Sequence, residues 1–390
     1  MERLEMNRAF TSPIMIAAGG TGGHMFPGVS LACSLTSLGH PVIFVSDNRG
    51  ASLSRDTLGL PPEIERYAIS AGRFGGGIFP SVRGARALIK GLNESRKLVR
   101  RLNPVLAIGF GGYPTIPPIL AAGMSGIPTI IHEQNAVLGR ANRRLASGAK
   151  AFALSFEQTS KLNKTGAARS RVVGNPIREE IAALATRPYR TPNSIFHLLI
   201  LGGSLGAKVF SEIVPAAFLS MSPVLRSKFQ VSQQCRREDL DQVRLAYENM
   251  EMSVELDTFF EDIPQRIANS HMVICRSGAS TVAELTAAGR PALYVPYPDA
   301  ADNHQMSNAR AVEKGGGGWV CPQNEFTPGA LAGWLETALE EPSTLKKVAE
   351  AARSLGNPKA TELLTDMVTG LLNKNSTMCE TTTFYSERPK

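Results

Sequence analysis

Short apolar runs of strand length alternate with helix-spaced patterns along almost the whole chain. Residues 13–18 (PIMIAA) read as a strand, and residues 28–38 carry helical spacing that closes at Gly39. Residues 41–46, 105–110 and 128–131 read as further strands. The second half repeats the scheme at 196–201, 272–275 and 292–295. Continuous apolar strands of this length, separated by helices, belong to parallel sheets covered on both faces. The expected fold class is α/β.

An internal duplication refines that expectation. IMIAAGGTGGH (residues 14–24) and LLILGGSLGA (residues 198–207) share one grammar: apolar strand, Gly-Gly, hydroxyl residue, Gly, helix. Each reads as the first strand-turn-helix of its own Rossmann-like domain. Two such domains are expected to face each other across a cleft. The proline-containing, aperiodic stretch 186–194 reads as their connection, and residues beyond about 373 read as a loose polar tail. Residues 105–131 carry no charge but hold five Gly and four Pro, so they read as a buried strand, a Gly loop and a short helix rather than a membrane span.

Composition then narrows the class. At 43% hydrophobic and 19% charged residues, the chain is neither disordered nor a coiled coil. Lys plus Arg is 42 against 34 for Asp plus Glu, a net +8 that favours phosphate-bearing partners. Five scattered cysteines without a CxxC pair exclude a disulfide framework and point to a reducing compartment. The opening MERLEMNRAF has no apolar core, so no signal peptide is expected.

Four stretches carry candidate chemistry. GGTGGH (residues 19–24) follows a strand and opens a helix, where glycines admit a ligand and the helix N-terminus favours anionic oxygens. A ligand-free tight turn is the plain alternative. The dinucleotide fingerprint fails at Met25, although Asp47 ends the second strand where a ribose-binding acid would sit. His24 closes this loop as a titratable imidazole able to accept a proton from an attacking hydroxyl. His132 and Glu133 do not form a metalloprotease motif, because position 136 is Ala136. GGSLG (residues 202–206) formally matches a hydrolase nucleophile elbow around Ser204, but that hydroxyl with the loop amides equally suits a phosphate. RSGASTVAEL (residues 276–285) starts a helix whose amides suit a diphosphate, with Glu284 one turn on for a ribose diol. Residues 73–101 interleave apolar side chains with Arg83, Arg86, Lys90, Arg96, Lys97, Arg100 and Arg101, opposed only by Glu94. A basic amphipathic segment of this kind suits an anionic membrane face; no motif accompanies it that would suggest nucleic acid.

These residues, in this order, resemble the MurG family. GGTGGH, GFGGYPTIPPILAA (109–122), HEQN (132–135), VGNPIR (173–178), GGSLGA, RSGASTVAE and DNHQMSNA (302–309) cover about residues 13 to 370. The resemblance implies the GT-B glycosyltransferase fold, with an acceptor- and membrane-binding domain at 11–178 and a UDP-GlcNAc-binding domain at 179–355. It also implies a helix near 356–373 packing back on the first domain, with 374–390 as tail. Residue by residue, it implies donor contacts from Thr21, Gly22, Gly23, Asn135, Arg178 and Ser204. Ala279, Ser280, Thr281, Val282, Ala283 and Glu284 match its uridine-ribose-diphosphate segment, with Glu284 on the ribose. Gln305 matches a glutamine on GlcNAc, and Phe260 falls where an apolar residue packs near uracil. Leu205 departs from the family's usual glutamine.

The activity implied is inverting GlcNAc transfer from UDP-GlcNAc to the C4 hydroxyl of MurNAc in lipid I, giving lipid II for peptidoglycan synthesis. His24 is the candidate general base and Arg178 a candidate cation on the diphosphate. No cofactor and no metal are expected. The implied location is the inner membrane, peripheral, on its cytoplasmic side. Two other readings stay open on the residues: a hydrolase using Ser204, and a non-catalytic nucleotide-sugar binder.

Overall fold

A computed structural model describes residues 12–20, 22–72, 82–203, 206–248 and 250–383. The chain divides into two compact units, Met1–Pro176 with Lys359–Lys390, and Ile177–Pro358. Each is an open, all-parallel sheet with helices.

Unit 1 contains β1 (Ile14–Ala17), β2 (Val42–Ser46), β3 (Glu65–Ala68), β4 (Leu106–Gly109), β5 (Thr129–Glu133), β6 (Ala151–Leu154) and β7 (Ser170–Val172). Their order in the sheet is β3-β2-β1-β4-β5-β6-β7, with every pair parallel. The central strands are buried on both faces, which is why they are continuously apolar. Ile14 and Ile16 of β1 join one apolar layer with Leu31, Leu35, Phe44 and Ile108. Met15 and Ala17 point the other way, into a layer with Ile43, Val45, Ile119 and Ile131.

Helix α1 (Gly22–Ser37) covers the first layer, α2 (Val82–Leu102) and α3 (Ile116–Met124) the second. The pattern reading started α1 at residue 28. It begins at Gly22, inside the glycine loop, and stops at Gly39, whose φ of 84° lets His40 N–H reach back to the Leu35 carbonyl.

Unit 2 contains β8 (Phe196–Leu201), β9 (Phe229–Gln234), β10 (Ser253–Asp257), β11 (Met272–Cys275), β12 (Ala292–Tyr294) and β13 (Trp319–Val320). Its order is β10-β9-β8-β11-β12-β13, again parallel throughout. Helices α4 (Lys208–Ser220), α5 (Ala279–Ala287) and α6 (His304–Lys314) follow β8, β11 and β12.

Two boundary expectations change. The stretch 186–194 is not the crossing between units; the division falls at Pro176/Ile177. Tyr189 donates its hydroxyl to the His271 carbonyl at 2.9 Å, and Arg353 Nη2 donates to the Arg187 carbonyl, which hold that stretch in unit 2. The C-terminal helix α7 spans Ala360–Thr383, running past the expected tail boundary at 374. Leu364 and Val368 of α7 are fully buried in the layer that α1 covers, and Ser34 Oγ meets Thr365 Oγ1 at 2.9 Å. Residues 384–390 lie outside the described residues.

Candidate active site

In unit 1, β4 is followed by Gly111 and Gly112, at φ of 84° and 78°, positive values that favour glycine. Their backbone closes on the first glycine loop, where Gly19 N–H donates to the Gly111 carbonyl at 3.1 Å. The half-buried His24 imidazole lies between the two loops. A Cβ on Gly19 or Gly112 would come within 3.3 Å of its Cδ2, and one on Gly111 within 3.3 Å of its Cε1. A side chain at any of these three positions would press against the ring.

Asp47 has a structural use. It accepts from Gly50 N–H at 3.2 Å and pairs with Arg49 at 2.8 Å, and a Cβ on Gly20 would strike its Oδ1. The ribose-binding role weighed for it in a dehydrogenase is taken up by this cap.

Behind these loops β5 delivers HEQN. His132 is fully buried, stacked on Phe110 at 5.0 Å, with Nε2 3.0 Å from the Gly174 carbonyl. Since a carbonyl only accepts, Nε2 carries the proton. Burial pushes the His132 pKa down to about 4; the Gly174 bond opposes this, and the neighbouring His24 adds to the fall. Glu133, 1% exposed, accepts from Asn135 N–H and Nδ2 on one oxygen and from Gly139 N–H and Asn142 Nδ2 on the other. Burial raises its pKa against those four donors. The network holds the Asn135 side chain in one orientation.

In unit 2, β8 runs into Gly202 and Gly203, and Gly206 N–H closes the turn onto the Gly203 carbonyl at 3.0 Å. A Cβ on Gly202 would lie 2.5 Å from Ala207 N, so the turn cannot take a side chain there. After β11, Gly278 caps α5 without a side-chain bond. The first helical bond runs from Val282 N–H to the Gly278 carbonyl, so the amides of Ala279, Ser280 and Thr281 have no acceptor within the helix. Ser280 Oγ is also buried without a partner. Together these donors form an anion-seeking helix start.

Glu284 lies one turn further. Arg178 Nε and Nη2 bond its two carboxylate oxygens at 2.9 and 3.1 Å, a fork-to-fork pair. Each oxygen retains a second lone-pair direction, enough to accept a diol hydroxyl as well. Arg178, expected on the diphosphate, thus spends two of its three nitrogens on Glu284.

Helix α6 is tied to the same corner. Ser277 Oγ donates to the Gln305 carbonyl at 2.8 Å, and Asn308 Nδ2 to the Ser277 carbonyl at 3.1 Å. The chain enters α6 through Asp302 and Asn303, both at φ of 55°. Gln305 Oε1 accepts from Tyr297 N–H at 2.9 Å, which assigns its amide orientation and leaves Nε2 to donate to a ligand.

Residues 14–154 match the glycosyltransferase family 28 N-terminal domain, and residues 197–364 the family 28 C-terminal domain. The UDP-N-acetylglucosamine--N-acetylmuramyl-(pentapeptide) pyrophosphoryl-undecaprenol N-acetylglucosamine transferase of Paramagnetospirillum magneticum is 45% identical over 366 residues, 93% of this chain and 98% of its own. The enzyme of the same name from Zymomonas mobilis is 42% identical over 95% of this chain and 96% of its own. A crystal structure of Acinetobacter baumannii MurG is similar at TM-score 0.73 and 28% identity, over 92% of this chain and 99% of that one.

The chain belongs to the MurG family.

As a MurG-family glycosyltransferase it has the GT-B fold, built from two Rossmann-like units. A UDP-N-acetylglucosamine 2-epimerase structure shares that fold at TM-score 0.65 and 16% identity, over 97% of this chain and 98% of that one.

Within the MurG-family frame, the structure brings Arg178, Ala279–Ala287 and Gln305 into one corner of unit 2. It places Gly22, Gly23, His24 and Asn135 on unit 1. Thr21, Ser204 and Leu205 lie outside the described residues. Val282 is buried, and its N–H is bonded to the Gly278 carbonyl. Phe260 is 3% exposed beneath the Arg266 guanidinium, whereas its neighbour Phe259 is 64% exposed. Of the two adjacent rings only that of Phe259 is open to solvent. The sequence reading passed over Glu133 as the anchor of Asn135, and Tyr297 as the anchor of Gln305. An acidic residue inside HEQN was the visible signal for the first; nothing in the sequence marks the second. Residues 239–241 (DLD) also have the spacing of a metal-binding DxD pair. Both carboxylates are engaged by arginines, Asp239 by Arg236 and Asp241 by Arg244.

Proposed function

We propose that this chain transfers GlcNAc from UDP-GlcNAc to the C4 hydroxyl of MurNAc in undecaprenyl-pyrophosphoryl-MurNAc-pentapeptide. The observation that carries this is the identity of over two-fifths, along nearly the whole chain, with relatives bearing that transferase name. The site chemistry supports it. The unpartnered amides at the start of α5 and Ser280 Oγ suit the diphosphate, Glu284 the ribose diol, and Gln305 Nε2 a sugar oxygen. Asn135, Gly22, Gly23, Thr21 and Ser204 are assigned further donor contacts.

The reaction is a single inverting displacement. His24 takes the proton from the acceptor hydroxyl as its oxygen bonds C1 of GlcNAc. The bond from C1 to the diphosphate oxygen breaks on the opposite face, and UDP leaves with that electron pair. Helix-terminal amides and Arg178 Nη1 then stabilise the charge on the departing diphosphate.

The acceptor's lipid tail requires a membrane surface, and the basic face of α2 suits the anionic cytoplasmic leaflet. Arg86, Lys90 and Lys97 lie on it beside Ile89, which is 61% exposed; Glu94 is bonded to Ser70 and lies 3.8 Å from Lys90 Nζ. Among the described residues no helix is long and apolar enough to cross a membrane; the attachment proposed is peripheral. The deciding experiment incubates the protein with UDP-GlcNAc and a lipid I analogue. UDP release matched by a β1→4-linked disaccharide supports the reading. UDP-GlcNAc hydrolysis alone, or binding with no turnover, overturns it.

A further inference from the structure

Unit 2 contains a cavity of about 670 Å³ at the end of its sheet opposite the donor segments. Ile195 and His197 line it at the start of β8, Gln230 at the start of β9, and His271 just before β11. The donor segments follow the other ends of β8 and β11. The cavity extends along the sheet as far as Leu199 of β8 and Ser232 of β9, short of the strand ends that the donor segments follow. Ligands of open parallel sheets bind beyond the carboxyl ends of the strands, so this cavity is no part of the donor site.

The cavity is cationic, and of its four arginines only Arg266 has a counter-charge among the described residues. Arg187, Arg190, Arg266 and Arg290 line it against Glu255 and Asp262, and both carboxylates are bonded to Arg266. Arg290 is 2% exposed, and all its bonds go to the backbone carbonyls of Ile267, Ala268, Ala288 and Gly289. Close by, Arg353 donates to the Arg187 carbonyl while its buried Nε has no partner. No carboxylate among the described residues pairs with Arg187, Arg290 or Arg353. Burial first, then Arg353, lowers the Arg290 pKa to about 10; Tyr189 opposes this slightly and Arg187 adds to it.

Directional donors complete the lining. His271 Nδ1 accepts from His197 N–H at 2.8 Å, so the neutral ring carries its proton on Nε2. Arg190 is exposed, with no bonded partner among the described residues. The carbonyls at two helix C-termini suffice to solvate the Arg290 guanidinium. They leave uncompensated the charge of its arginine neighbours.

We propose that this cavity binds a small phosphorylated anion, held by Arg187, Arg190 and His271 Nε2–H over the buried charge of Arg290. Such a ligand is an effector rather than a substrate, since it binds away from the carboxyl ends of the unit 2 strands that the donor segments follow. Occupation joins the stretch 187–190 to the start of β11 and stabilises unit 2.

The test uses the full chain and inorganic pyrophosphate as probe, followed by calorimetry with UDP present in excess to fill the donor site. The expected result is a further pyrophosphate site in the presence of UDP. Arg187→Gln with Arg190→Gln weakens it by about tenfold or more, while UDP affinity stays within about twofold. Arg190→Gln alone removes an exposed, unpaired side chain without risk to folding, and weakens the same site. Glu284→Ala separates this inference from the donor-site reading, because it weakens UDP and leaves the pyrophosphate site intact. No pyrophosphate binding beyond UDP up to about 1 mM, or binding indifferent to both arginine variants, overturns the proposal.

Discussion

At the scale of single residues, the fork between Arg178 and Glu284 decides how the donor corner behaves. Arg178 holds Glu284 in place, so the ribose recognition proposed for it is expected to cost little side-chain ordering. Glu284→Ala removes a charge-assisted contact of about 1.5–3 kcal/mol, or roughly 10- to 150-fold in UDP affinity. The wild type prefers UDP to 2′-deoxy-UDP and the variant loses that preference, as competition titrations with the two nucleotides will read. Equal affinity of wild type and variant for UDP would remove Glu284 from the site. His24 sits differently, wedged among three glycines. His24→Ala lowers kcat by about 10²- to 10⁴-fold, the range for a lost general base, with little change in donor affinity. Steady-state kinetics with UDP binding measured in parallel checks this, and a near-normal kcat reassigns the base.

At the scale of elements, α7 shows how far from its sequence neighbours a segment finds its core. Leu364 and Val368 lie in the layer over β1 and β4, beside Leu31 and Leu35 of α1. Leu364→Ala costs unit 1 about 2–5 kcal/mol through lost burial and the cavity left behind. Urea unfolding followed by a probe in unit 1 reads this as an earlier transition. Helix α2 has the opposite character, with a face that no partner within the described residues covers at Ile89. Charge reversal at Arg83, Arg86 and Lys90 is expected to release the protein from anionic vesicles, at about 1 kcal/mol per charge at low salt. Equal sedimentation with neutral and anionic vesicles, before and after the change, contradicts a role for these charges.

At the scale of the whole molecule, buried imidazoles set the acid limit of stability. His132 and His271 are both lowered to about 4, each chiefly by burial. Their unfolded value is near 6.5. Above that value they are neutral in both states and cost nothing. As pH falls toward 4, the unfolded chain takes up protons that the folded one refuses, and stability is lost. Each histidine accounts for about 2 kcal/mol between pH 6.5 and 5. Glu133, with its pKa raised by burial, works in the opposite direction as pH falls. Denaturant midpoints at pH 7.5 and 5.0 measure the balance, and Tm or midpoint rising toward pH 5 would refute the assignment.

The apolar runs at β1, β4, β8 and β11 were legible because a strand buried on both faces must be apolar at every position. The duplicated strand-Gly-Gly turns were legible for a related reason: a strand entering a helix so tightly has no room for a Cβ. Strands β9 and β10 escaped notice because one alternates buried and exposed positions and the other is an exposed edge. Their membership is set by neighbours, not by their own composition. The order of the motifs carried the family. Only tertiary structure decided which carboxylate meets which cation. Arg178 and Glu284 are over a hundred positions apart, and Asn135 is oriented by a carboxylate whose neutral neighbours make its burial tolerable. Hydrophobic periodicity is a property of adjacent residues and survives in one dimension. Ion pairing and burial depend on distances that exist only once the chain has closed on itself.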